Sequence, residues 1–183
     1  FDKDGDLDLV GGTYDAALLN DFGQDFLASG QAGVFYYEQQ AGKFAEKRLA
    51  ANAQALAIAA IDLNGDSRED LLVGNDFAVP DVAWYNTAEG WQEAKPFTTM
   101  SHSTMSFDAG DINNDGESEV FSTDMKPYPT EDENAWLPMM EMMMEEPMEG
   151  DPQVMENVLQ VPGVSQFANE AASRGLDASG WSW

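Results

Sequence analysis

Ile61-Asp-Leu-Asn-Gly-Asp-Ser-Arg-Glu-Asp-Leu-Leu-Val73 is the stretch on which the fold turns. Asp62, Asn64, Asp66 and Asp70 punctuate a turn-forming segment that passes directly into apolar, strand-forming residues. The pattern recurs as Gly110-Asp-Ile-Asn-Asn-Asp-Gly-Glu-Ser-Glu-Val-Phe121, where Asp111, Asn113, Asp115 and Glu119 take the same places. It recurs again as Phe1-Asp-Lys-Asp-Gly-Asp-Leu-Asp-Leu-Val10, which supplies Asp2, Asp4 and Asp8. One template covers all three copies: D-x-[DN]-x-D-[GS]-x-x-[DE], then apolar residues. With Gly5 matched to Gly116, position one of the first copy would precede residue 1, so the sequence is expected to open inside a motif.

Side chains at alternate positions of a tight loop can face one ion, and calcium takes about six to eight hard oxygen ligands. Positions one, three, five and nine supply carboxylate or amide oxygen. The carbonyl at position seven, from Asp6, Arg68 or Glu117, would complete each set, and Gly at position six permits the sharp turn. An EF-hand opens in the same way but needs a Glu at position twelve and flanking helices. Position twelve here is Gly11, Val73 or Ser122, and the flanks read as strands. An acidic β-turn without metal remains the alternative for any single loop; three loops on one template favour calcium.

The rest of the composition agrees. The 183 residues carry 34 acidic and 8 basic side chains, a net charge of -26, yet 43% are hydrophobic and 11% aromatic, which is a folded rather than a disordered composition. Such a charge repels phosphate backbones and anionic lipid, so nucleic-acid binding and membrane insertion are not expected. It attracts cations, and clustered carboxylates favour a divalent counter-ion, which points to a calcium-rich extracellular, periplasmic or cell-surface location. Cysteine is absent, which removes thiol catalysis and disulfide frameworks.

Between the loops the sequence reads as strand and turn. Gly33-Val-Phe-Tyr-Tyr37 and Lys43-Phe44 flank the turn Gln39-Gln-Ala-Gly42; Val82-Ala-Trp-Tyr85 and Trp91 flank Asn86 to Gly90. Leu56-Ala-Ile-Ala-Ala-Ile61 and Met105-Ser-Phe-Asp-Ala109 lead into the second and third loops. Position five recurs at spacings of 62 and 49 residues, room for one small antiparallel sheet per repeat, as in the blades of a propeller. The expected fold is all-β, a partial β-propeller of about three blades. Residues 1–126 would hold blades and acidic loops, 127–162 an acidic, Met-rich insertion of helical character, and 163–183 the start of a further blade. From Glu131 to Glu156 that insertion carries nine acidic residues and no Lys or Arg. Its helical readings are Trp136-Leu-Pro-Met-Met-Glu-Met-Met-Met144 and a second stretch through Val154-Met155 and Val158-Leu159.

These residues resemble the integrin-α-type FG-GAP or VCBS repeats, and within them the cartilage acidic protein and ASPIC/UnbV group. The acidic loops carry most of the resemblance, joined by Leu72-Val-Gly-Asn-Asp-Phe77, Trp84-Tyr-Asn86, Phe167-Ala-Asn-Glu-Ala171 and Gly175-Leu-Asp-Ala-Ser-Gly-Trp-Ser-Trp183. It implies a propeller of about seven blades in a full-length, signal-bearing protein, with structural Ca2+ in the acidic loops. The remaining blades of that chain would then pack against these. Ser67 departs from the usual Gly at position six, and Glu119 from the usual Asp at position nine.

Other constellations have plainer readings beside the chemical ones. Clustered Met thioethers are the soft donor set that takes Cu(I), but Met more commonly fills irregular interfaces. His102, the single histidine, has no nucleophile-elbow serine near it. Gly11-Gly12 lacks the Lys of a phosphate loop and reads as a turn. Phe35, Tyr36, Tyr37, Trp84, Tyr85 and Trp91 either pack between blades or form a binding platform on a rim. The function expected is a non-enzymatic, calcium-binding module that recognises a protein or glycan. The alternative is a fragment of a propeller lyase or hydrolase whose active site lies in other blades.

Overall fold

A computed structural model describes residues 1–14, 30–77, 79–126 and 151–180. Among the described residues it is nearly all β, with several antiparallel sheets and no closed barrel. The chain divides into two compact units, Phe1–Lys95 and Pro96–Trp183.

Unit 1 holds two antiparallel sheets. The first is β1 (Leu9–Gly12), β2 (Val34–Gln40) and β3 (Lys43–Ala50) in sequential order. The second is β4 (Ala55–Ile61), β5 (Asp70–Asn75), β6 (Val82–Thr87) and β7 (Gly90–Ala94), again in order. Short turns set these hairpins. Ala41 and Gly42 both take positive φ, 51° and 78°, as a tight two-residue turn between right-twisted strands requires.

Apolar strands are central and mixed strands peripheral. β5, Asp-Leu-Leu-Val-Gly-Asn, is buried along its whole length, while β3 and β7, at the sheet edges, are exposed or half-buried throughout. Leu71, Val73, Val34, Ala53 and Trp84 form the core, with Val10, Leu49 and Trp91 packed against them. Each such side chain removed from water contributes about 1.5–3 kcal/mol. The small residues of β4 let it lie close to β1. Gly12 is in strand β1, not in the turn its Gly-Gly context suggests, because a Cβ there would stand 2.5 Å from the Ala55 Cβ. The contact continues through Ala55 N–H to Thr13 O at 3.0 Å and an antiparallel bridge between Tyr14 and Gln54.

Unit 2 repeats the four-stranded plan with β9 (Ser106–Gly110), β10 (Glu119–Thr123), β12 (Val158–Val161) and β13 (Ala168–Asn169). A parallel pair, β8 (Met100–Ser101) with β11 (Gln153–Val154), lies beside it, and one helical turn, α1 (Ala171–Arg174), follows β13. Gly175 ends α1 at φ 71°.

Two expectations change here. The stretch through Val154-Met155 and Val158-Leu159 holds two strands instead of a helix: Val154 lies in β11 opposite Ser101 of β8, and β12, with β-branched Val158 and Val161, supplies the partner of β10, Phe121 opposite Leu159. Ala168–Asn169, placed by the sequence in a further blade, pairs with β12 in the same sheet. The Met-rich segment 136–144 and Trp181 to Trp183 lie outside the described residues. Among the aromatics, Phe35, Tyr36 and Trp84 are buried, which favours packing over a rim platform for these three.

A brace common to all three sheets lies five residues beyond position nine, at Thr13, Asn75 and Asp124. Thr13 N–H donates to Gly33 O at 3.0 Å, Asn75 N–H to Asp81 Oδ1 at 2.9 Å, and Asp124 N–H to Asn157 Oδ1 at 2.8 Å. Gly33, Asp81 and Asn157 immediately precede β2, β6 and β12, so the same N–H closes the same corner three times, onto a backbone carbonyl in the first copy and a side-chain oxygen in the other two.

Candidate metal loops

Each acidic loop joins two strands or leads into one, and the three share a backbone path. At position four, Lys3, Gly65 and Asn114 have φ of 66°, 75° and 61°; at position six, Gly5, Ser67 and Gly116 have φ of 101°, 64° and 92°. Two left-handed residues separated by one ordinary residue curl the chain tightly, which accounts for the Gly and Asn content of these positions.

The side-chain oxygens hold that curl. Position-five N–H donates to the position-three side chain in all three: Asp4 to Asp2 at 3.0 Å, Asp66 to Asn64 at 3.0 Å, Asp115 to Asn113 at 2.8 Å. Position-seven N–H donates to the position-five carboxylate: Asp6 to Asp4 at 3.1 Å, Arg68 to Asp66 at 2.8 Å, Glu117 to Asp115 at 2.9 Å. Asp62 takes N–H bonds from Gly65, Asp66 and Ser67, and Asp111 takes them from Asp115 and Gly116. The side chains at positions one, three and five are thus tied to the backbone of their own loop.

Position nine is different in kind. Asp70 and Glu119 are buried, at 0% and 2% exposure, whereas the side chains at positions three and five are exposed. Its carboxylate accepts the position-two nitrogen in every loop: Phe1 at 3.0 Å, Leu63 at 2.9 Å and Ile112 at 2.9 Å. The other oxygen of Asp8 accepts Gln39 N–H, that of Asp70 accepts Asn86 N–H, each at 2.8 Å, and that of Glu119 accepts the Asn113 amide at 2.7 Å. The sequence pattern did not mark Gln39 or Asn86, since each acts through its backbone.

The electrostatics follow from these contacts. Burial pushes Asp70 upward, the N–H groups of Asn86 and Leu63 oppose it, and the charges of Asp66 and Asp62 leave the carboxyl above its ordinary value. Burial acts on Asp8 too, but Gln39 N–H and the Tyr36 hydroxyl at 2.7 Å oppose it, and Asp8 is held low. Tyr36 is raised by burial and by that bond. Desolvation and then Asp4, with Asp8 and Asp2 behind, raise Asp6 against a side-chain bond from Gln39. Lys3 crosses from the first loop to the second, donating to Ser67 O at 2.9 Å.

The donor set fits a hard divalent cation: carboxylate, amide and carbonyl oxygen, with no nitrogen or sulfur. In the first loop the Asp6 Oδ1 atom is buried without a hydrogen-bond partner. Among the described residues no three carboxylate, imidazole or thiol groups stand close enough together to hold an ion as they are. The Asn side chains and backbone carbonyls are the further oxygen donors each loop offers. Elsewhere, Asp124 is buried beside His102. Its oxygens accept the backbone N–H groups of His102, Ser103 and Met125, and burial raises its carboxyl despite them.

Repeated four-stranded antiparallel sheets with an acidic turn ahead of their second strand define a blade-repeat protein of the propeller kind. The chain carries an FG-GAP-like repeat at residues 62–122, running from position one of the second loop to β10 beyond the third. No curated protein and no solved structure matches the chain.

Proposed function

We propose that this chain is a calcium-binding, non-enzymatic β-propeller module of the ASPIC/UnbV kind, acting outside the cytosol as a surface for a protein or glycan partner. The observation that carries the reading is the threefold recurrence of one loop geometry. Positions four and six are left-handed in every copy, and oxygen side chains at positions three and five repeat the same backbone bonds. Asp and Asn side chains serve a bare turn as well, but position five is a carboxylate in all three copies and position one in both copies that include it, so each loop concentrates negative charge that a cation would offset. Asp2, Asp4 and Asp8, Asp62, Asn64, Asp66 and Asp70, and Asp111, Asn113, Asp115 and Glu119 would hold the ions, with the carbonyls of Asp6, Arg68 and Glu117. The ion's part is to neutralise clustered carboxylates and stiffen the turn between strands. The net charge of -26 makes such neutralisation more valuable here than in an ordinary domain.

Calorimetry and thermal melting test this directly. Calcium at about a hundred times its Kd is expected to stabilise the fold by about 2.7 kcal/mol per site, and chelator to reverse it. Asp66→Ala is expected to lower the calcium stoichiometry by one site. A melting curve indifferent to calcium and chelator, or an unchanged stoichiometry, removes the calcium reading.

A further inference from the structure

β4 runs into the second acidic loop, so Gln54, just ahead of β4, lies at the opposite end of that hairpin, roughly 25 Å away at about 3.4 Å per residue. Tyr14 and Gln54 form an antiparallel bridge, and Asp76 N–H donates to Gln54 O at 3.0 Å, one pair beyond Ala55 and Asn75 in the β4–β5 ladder. Directly paired residues of antiparallel strands share a face. Tyr14, Gln54 and Asp76 therefore stand in a row, with Gln54 in the middle. At about 4.8 Å per strand the outer two backbones are about 10 Å apart, and the Tyr14 side chain spans that gap to donate to Asp76 Oδ2 at 2.8 Å.

Tyr14 consequently lies across Gln54. The residue beneath it is 8% exposed, and its Oε1 is buried with no hydrogen-bond partner. A buried amide oxygen without a donor is costly, and such an atom marks a place where a donor belongs. Asp76 is 6% exposed; its Oδ1 accepts Phe77 N–H at 3.1 Å, and among the described residues it makes no ion pair, whereas Tyr14, at 46% exposure, is the exposed member of the row. Moving the phenol aside uncovers a carboxylate next to an unsatisfied amide oxygen. A neutral hydroxyl would serve one acceptor and leave the charge; an anion would be repelled by Asp76 and by the chain as a whole. A compact cation with several N–H donors answers both acceptors at once.

We propose that Tyr14, Gln54 and Asp76 form a docking subsite for an ammonium or guanidinium group, with the Tyr14 hydroxyl standing in for that donor in the free protein. The subsite does not depend on what the acidic loops hold. Its test is a titration of the full chain followed by NMR at the Gln54 side-chain amide, assigned by its loss in Gln54→Leu. Ethylammonium and methylguanidinium are expected to shift that amide saturably, while tetramethylammonium, a cation without N–H, is not. Tyr14→Phe removes the competing donor and is expected to raise affinity about tenfold; Asp76→Asn is expected to abolish the shift. Arginine-containing peptides binding more tightly than the free cations, and their citrulline analogues not binding, would make the source a basic protein segment. Equal affinity would make it a small amine. No saturable shift, an equal response to tetramethylammonium, no gain in Tyr14→Phe, or only an ordered water on Gln54 Oε1 in amine-soaked crystals would each overturn the proposal.

Discussion

The second and third acidic loops follow one template and one backbone path, yet their ninth residues are tied to different things. Asp70 spans the start of its own loop and the next strand of its sheet, accepting Leu63 N–H and, in β6, Asn86 N–H. Glu119, one methylene longer, accepts Ile112 N–H and the Asn113 side chain, both within its own loop. In the second copy position nine stitches loop to sheet; in the third it tightens the loop upon itself. The template fixes where a buried carboxylate stands, and the neighbouring strand decides what it holds together.

The largest expected effect follows from what each carboxylate leaves behind. Leu63 is 7% exposed and so is Asn86, so Asp70→Ala strands two buried N–H groups as well as opening a small void. A loss of about 3 kcal/mol or more is expected, read from urea unfolding in chelator so that metal plays no part. Ile112 is 54% exposed, and water can take over its N–H when Glu119 is removed. Glu119→Ala should therefore cost only about 1 kcal/mol. Equal losses would erase the distinction between a stitch and an internal tie.

A smaller effect concerns pH. Asp70 holds its proton more tightly in the folded state than in the unfolded one, because burial outweighs its two N–H donors and Asp66 and Asp62 add to it. A raised folded value means that this group's contribution is fully present below the unfolded value and is lost as pH rises through the folded one. In chelator, the difference in melting temperature between the parent and Asp70→Asn should therefore narrow as pH rises through that folded value. Calcium, if bound beside Asp70, should shift the same crossing to lower pH.

How far the sequence carried the reading depends on the range of the contact concerned. The three loops, the hairpins at Ala41-Gly42 and at Thr87 to Gly90, and the apolar β5 were legible because their signals are local: alternating oxygens, turn residues, an unbroken apolar run. Val158-Leu159 was not, because so short an apolar run fits a helix or a strand equally well, and only its register with β10 decides. Gly12 was misread as a turn for the same reason, since the close approach of Ala55 comes from a strand far along the chain. The brace at Thr13, Asn75 and Asp124 escaped notice because three unlike residues perform it through the same backbone N–H. In the loops, positions one, three, five and nine were named from spacing alone, but the bonds of Gln39 and Asn86 to position nine run through backbone atoms that carry no residue signature.

The smallest expected effect isolates the turn from everything the carboxylates do. Ser67 and Gly116 occupy position six, and a Cβ built on Gly116 meets nothing within 4 Å, so exchanging the two residues changes conformational cost and little else. Ser67 has φ of 64°, inside the narrow left-handed region open to ordinary residues, whereas Gly116 at 92° lies outside it. Ser67→Gly relieves a modest strain and, against the greater freedom it gives the unfolded chain, should gain no more than about 0.5 kcal/mol. Gly116→Ser must either hold an L-residue at that angle or bend the loop, and should lose about 1–2 kcal/mol. The asymmetry, measured by thermal melting in chelator, is the point: equal and opposite changes would mean that the two turns are conformationally the same, and that position six does nothing to set the third loop apart from the second.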